Sequence, residues 1–157
     1  MAAAVLLAAA ILAQQTATPP PPSGRTVEIA QAVFDAQTPA PDVAGLHAQV
    51  IAGVPDPVWS PTTEAALANV YEQQPAFSDA VESFSVTCNA TLCEVLAISR
   101  PALSLVETNA FLDVAQGAEV HNASVALKMD IEVQHFTSTQ ENPQKTVMAS
   151  YWRRQVD

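Results

Sequence analysis

Residues Ser83 to Ile98 read SFSVTCNATLCEVLAI, and their hydrophobic period is two. Phe84, Val86 and Cys88 alternate with Ser85 and Thr87. After Asn89-Ala90-Thr91-Leu92, the residues Cys93, Val95 and Ala97 alternate with Glu94, Leu96 and Ile98. Two such runs around a short break read as a β-hairpin. With Ala90 and Thr91 as the turn, Cys88 stands opposite Cys93, Val86 opposite Val95 and Phe84 opposite Ala97, all on one face. The turn lacks Asn-Gly chemistry, so the register rests on the consistency of that face.

The hairpin decides how the cysteines are read. Opposed residues of a non-hydrogen-bonded pair lie about 4.5 Å apart, within reach of a disulfide. A Cys88–Cys93 bond is therefore expected, of a kind that persists in oxidising compartments. Closing so short a loop contributes about 2 kcal/mol on the chain-entropy estimate, enough to pin a hairpin but not a fold. Thiol oxidoreductases place their thiols two residues apart at a helix N-terminus, where the dipole favours the thiolate. The spacing and the strands here point to a structural bond instead.

Outward from the hairpin the period changes to that of helices. Upstream, Val27–Gln37 and Val43–Ala52 (apolar set Leu46, Val50 and Ile51) are short helices stopped by prolines. Between Asp56 and Gln74, Ser60 can cap and Pro61 fits the first helical position, with Ala66, Leu67, Val70 and Tyr71 on one side. Trp59, just before the cap, is expected to fold back as a core anchor. Downstream, Pro101 opens a helix with Leu103, Val106, Ala110 and Val114 on a face, and Gly117 is placed to end it with a left-handed cap. Val125 to Gln134 then alternates strictly as a strand, and a loop around Glu141-Asn142-Pro143 leads to a last strand, Thr146 to Arg153. The order helix, strand, strand, helix, strand, strand predicts an α+β fold, an antiparallel sheet of about four strands with helices on one face.

Three segments organise the chain. Residues 1–13, MAAAVLLAAAILA, span about 20 Å as a helix, short of a hydrocarbon core of about 30 Å but suited to a secretory signal. Cleavage is expected after Ala13 or near Ala8–Ala10, although no basic residue precedes Arg25. Residues 14–24, QQTATPPPPSG, form an uncharged polyproline-type spacer, and residues 25–157 form one acidic domain. The expected location is extracytoplasmic, periplasmic or secreted, with membrane contact only through an uncleaved N-terminal segment.

A net charge of −10 and a pI near 4.4 exclude nucleic acid as a partner, because a phosphate backbone requires a basic patch. The glycines Gly24, Gly45, Gly53 and Gly117 are unclustered, which removes phosphate-cradling loops, dinucleotide fingerprints and the nucleophile elbow. His47, His121 and His135 lack the spacing of zinc sites. Asp130 and Glu132, with His135, could be an acid and base set, but they fall on opposite faces of a regular strand unless that strand is bulged. The sequons at Asn89 and Asn122 are read as chance. Tyr151 and Trp152 are expected to pack at a sheet edge that Arg153 and Arg154 protect from pairing. No catalytic, cofactor-binding or metal-ligating residue is assigned, and the only site residues are the disulfide pair Cys88 and Cys93.

The segment Val86-Thr87-Cys88-Asn89-Ala90-Thr91-Leu92-Cys93-Glu94-Val95, preceded by Trp59 and a helix, resembles one found in small exported bacterial proteins with no assigned activity. That resemblance covers roughly Trp59 to Ile98. It implies an extracytoplasmic disulfide hairpin and brings no catalytic residue with it. The expectation is an exported domain that binds or scaffolds, with an envelope protein as the partner class. The alternatives are an assembly subunit that pairs through its final strand at a sheet edge, and an enzyme or thiol factor with a site built from scattered residues.

Overall fold

The computed structural model describes residues 42–140 and 142–155; the leader, the spacer and the helix expected over Val27–Gln37 lie outside them. The described elements are α1 (Val43–Ala52), α2 (Trp59–Glu72), α3 (Pro75–Ser78), β1 (Val81–Cys88), β2 (Leu92–Ser99), α4 (Leu105–Ala115), α5 (Ala118–Ala126), β3 (Met129–Ser138) and β4 (Thr146–Arg154). The strands form one antiparallel sheet in the order β1-β2-β4-β3, so the fold is α+β.

The hairpin has the register read from its alternation, with Cys88 opposite Cys93, Val86 opposite Val95 and Phe84 opposite Ala97. Cys88 and Cys93 are joined by a disulfide across Cα atoms 4.0 Å apart. The face they share continues through Met148 and Trp152 of β4 and Met129 of β3, and it is covered by helices. Leu67 and Tyr71 of α2, Phe77 of α3, Phe111 and Ala115 of α4 and Val120 of α5 pack there as the main core. Phe77 is the hub of its aromatic part, with ring centroids 5.0 Å from Tyr71, 5.2 Å from Phe84 and 5.4 Å from Phe111. The opposite face is covered by α1, whose Leu46 and Val50 meet Leu92, Ala149 and Tyr151 in a second, smaller core. Most helices thus lie on one face, as expected, and α1 crosses to the other.

Several local readings are corrected. Helix α2 starts before Ser60, because Asp56 Oδ1 accepts from the N–H groups of Val58 at 2.9 Å and Trp59 at 2.8 Å. Ser60, freed from capping, is buried; it accepts from the Asp56 N–H and donates to the Asn89 carbonyl at 3.1 Å. Helix α4 begins after Ser104 rather than at Pro101, because Ser104 and Glu107 form a reciprocal capping box. The later start turns the helix, so that Phe111 and Ala115 are buried while Val106 is 78% exposed. Gly117 has φ −75° and ψ 166° and caps the N-terminus of α5, not the C-terminus of α4. A Cβ there would stand 2.9 Å from the Asp113 carbonyl, so the residue must be small to let α5 leave the end of α4.

The strand expected from Val125 begins only at Met129. Val120 and Ser124, four apart, are the buried stripe of α5, whereas Val125 is exposed. Lys128, at φ 54°, turns the chain into the sheet. β4 is an interior strand, bonded to both β2 and β3, so Tyr151 and Trp152 sit in the middle of the sheet rather than at its edge. The reading in which the final strand pairs with a partner is thereby overturned. Among the described residues no helix is long and apolar enough to cross a membrane.

Candidate functional site

The hairpin turn, the start of α2 and the end of β4 meet at one end of the sheet. Asn89 organises the junction: it is buried, its Oδ1 accepts from the N–H groups of Thr91 and Leu92 at 2.9 Å each, and its Nδ2 donates to the Gln49 carbonyl at 2.8 Å. Gly53 lies against it, where a Cβ would be 2.2 Å from Asn89 Nδ2. The amide nitrogen of this sequon is therefore committed to the fold and closed to a glycan.

Beside the turn opens a cleft of about 650 Å³ lined by Asp56, Pro57, Val58, Trp59, Leu127 and Arg154, together with Thr62 and Thr63 of α2. Its two charged groups are placed by bonds of their own. The Arg154 N–H donates to the Thr91 carbonyl as β4 passes the turn. Its guanidinium lies 4.6 Å from the Trp59 ring centroid and donates through Nη1 to Asp56 Oδ2 at 3.3 Å and the Ala90 carbonyl at 3.2 Å. Trp59 is half-buried and forms one wall, and Val58, 74% exposed, forms the lip. A partly exposed indole, aliphatic walls and a few fixed polar groups are the usual composition of a small binding site. The charges of Asp56 and Arg154 offset each other, so shape and apolar contact dominate what the cleft offers.

The Asp56 carboxyl is held below its ordinary range, first by the Trp59 N–H and then by that of Val58, with Arg154 adding to them. A depressed carboxylate contributes stability that is complete above its unfolded value, about 3.9, and is lost as pH falls from there through the folded value. We expect the Val58 and Trp59 amide resonances to report loosening of the start of α2 only below about pH 4. An Asp56→Asn variant should lose that acid step, and an unchanged step would contradict the assignment.

Under α1 lies a second polar group that the sequence reading missed. Glu94 is 3% exposed and is the one buried charged side chain among the described residues. Its Oε2 accepts from the Tyr151 hydroxyl at 2.8 Å and stands 2.6 Å from His47 Nδ1. Burial, then the bond and charge of Glu94, push the Tyr151 phenol well above its usual range. The available signal was an acid standing alone on a strand face otherwise occupied by Leu92, Leu96 and Ile98. The cluster fastens α1 to the sheet. Tyr151→Phe should cost about 1.5–3 kcal/mol, the worth of a hydrogen bond to a charged group, read as a lower urea midpoint at constant slope.

The acids and histidine of β3 behave differently from a regular strand. A register shift between Ile131 and Val133 makes Glu132 a bulge, so Asp130 and His135 stand opposite Arg153 and Ala149 and share a face. They do not assemble a site: Asp130 accepts from Gln155 Nε2 at 2.9 Å, Glu132 pairs with Arg153, and His135 is exposed. His121 is exposed on α5, and among the described residues no three His, Cys, Asp or Glu side chains are placed to hold a metal ion. Comparison with protein-family models, curated proteins and solved structures finds no match to this chain.

Proposed function

We propose that the protein is an exported, non-catalytic binding domain that presents the Trp59–Arg154 cleft to a ligand of the cell envelope. The observation that carries this reading is the cleft itself, where indole and aliphatic walls surround a guanidinium fixed by Asp56 and Ala90. Export is supported by the disulfide, by the apolar signal-like residues 1–13 and by the proline-rich spacer that would hold the domain away from a membrane or cleavage site. The resemblance of the hairpin segment to small exported bacterial proteins points the same way.

The test is affinity capture from the extracytoplasmic fraction of the native host, with the parent chain and a Val58→Glu variant side by side. Val58 is 74% exposed, so the substitution alters the lip and leaves the core alone. The reading predicts a ligand retained by the parent and lost by the variant. Retention of the same set by both chains, or of nothing by either, would count against the cleft.

A further inference from the structure

Among the described residues the sheet ends on two edges, β1 and β3, and they are built differently. β3 carries a bulge at Glu132 and the charged residues Asp130 and Glu132, which are the usual devices that keep an edge from pairing. β1 from Ser83 to Cys88 is regular in register and contains no proline and no charged side chain. One bond shows which of its backbone groups face away from β2: the Cys88 N–H donates to Glu64 Oε1 at 2.7 Å. Antiparallel residues alternate between groups turned to the partner and groups turned away. The N–H and C=O groups of Val86 and Phe84, two and four residues back, therefore also face outward.

We propose that β1 is an interface between two copies of this chain, paired antiparallel about a two-fold axis at Ser85 so that two sheets become one. In that register Phe84 of each copy exchanges both backbone bonds with Val86 of the other. Ser85 meets Ser85 of the second copy as a non-hydrogen-bonded pair, with Cα atoms about 4.5 Å apart. Self-complementarity favours a second copy over a foreign strand. No like charges meet, because Glu82 lies three residues from the axis and is already paired with Lys145 Nζ at 3.0 Å. In this register Cys88 and Glu82 fall opposite each other, so the Cys88 N–H that Glu64 holds and the irregularity between Val81 and Ser83 coincide at the two ends of the ladder. A register centred on Val86 instead sets the first against Phe84, and one centred on Phe84 sets the second against Val86. The contact is isologous and stops at two copies, since the other edge is protected. Each copy carries a charge of −10, so association works against repulsion that salt screens.

Sedimentation of the oxidised full chain, from micromolar to millimolar concentration and at low and high salt, tests this. The expected result is a mass that doubles with concentration and does so more readily at high salt. Ser85 is exposed, and Ser85→Lys, which sets like charges against each other at the axis, should stay monomeric under the same conditions. Ser85→Cys should crosslink into a covalent dimer on mild oxidation, whereas Ser83→Cys, placed opposite Thr87 of the second copy, should not. The native cysteines are bonded to each other and do not interfere. The proposal is overturned by a chain that remains monomeric throughout, by a dimer that Ser85→Lys leaves intact, or by Ser83→Cys crosslinking as readily as Ser85→Cys. Since the cleft lies at the turn end of the sheet and β1 is an edge, Ser85→Lys should leave capture by the cleft unchanged, which keeps the two readings separable.

Discussion

Replacing Phe77 with alanine is expected to destabilise the domain by about 3–5 kcal/mol, the range for deleting a fully buried aromatic ring. Phe77 is 1% exposed and touches the rings of Tyr71, Phe84 and Phe111, which belong to α2, β1 and α4. The helix that carries it, α3, has only 4 residues and buries that one side chain, so it cannot close over the gap by adjusting its own packing. A loss of this size is a large part of the roughly 5–15 kcal/mol that a domain possesses. Urea denaturation should show a much lower midpoint with an unchanged slope. A shift below about 1 kcal/mol would mean that the four-ring cluster is not the centre of the core.

Asn89→Ala is expected to cost about 2–4 kcal/mol, more than the roughly 2 kcal/mol assigned to the neighbouring disulfide. The buried asparagine side chain holds the N–H groups of Thr91 and Leu92 and donates to the Gln49 carbonyl. Truncation strands two donors and an acceptor, and stranded buried groups cost about 1–3 kcal/mol each unless solvent reaches them. Because Gln49 belongs to α1 and the turn adjoins Arg154, the loss should loosen both α1 and the cleft wall. Hydrogen exchange should report it first at Thr91 and Leu92. If the variant were more stable than a cysteine-free chain with Asn89 intact, the disulfide rather than the amide would hold the junction.

The legible parts of the fold were those in which one strong local signal decided the outcome. The hairpin is one, since a one-residue slip would have moved Phe84, Val86, Cys88, Cys93 and Val95 off the apolar face. At α4 two signals competed, and the conspicuous Pro101 drew attention from Ser104 and Glu107, whose spacing is that of a capping box. At α5 the apolar residues are few, so Val125 and Leu127 joined by chance to the true alternation that begins at Met129.

The candidate site was out of reach for a different reason. Asp56 and Arg154 are separated by 98 residues, and His47 and Glu94 by 47, so no spacing rule connects them. Trp59 is read from the sequence as a core anchor, and it does pack against the main core, but it is also the wall of an open cleft with a guanidinium over its ring. Only the tertiary path of β4 past the hairpin turn brings these groups together.

The premise under the proposed function is that this domain works outside the reducing cytosol, with its hairpin stapled. Mass spectrometry of the protein isolated from its native host, alkylated before reduction, tests that premise most directly. The account predicts a chain in the extracytoplasmic fraction that lacks residues 1–13 and yields a peptide joined through Cys88 and Cys93. A cytoplasmic chain that retains residues 1–13 and carries alkyl groups on both thiols would contradict it.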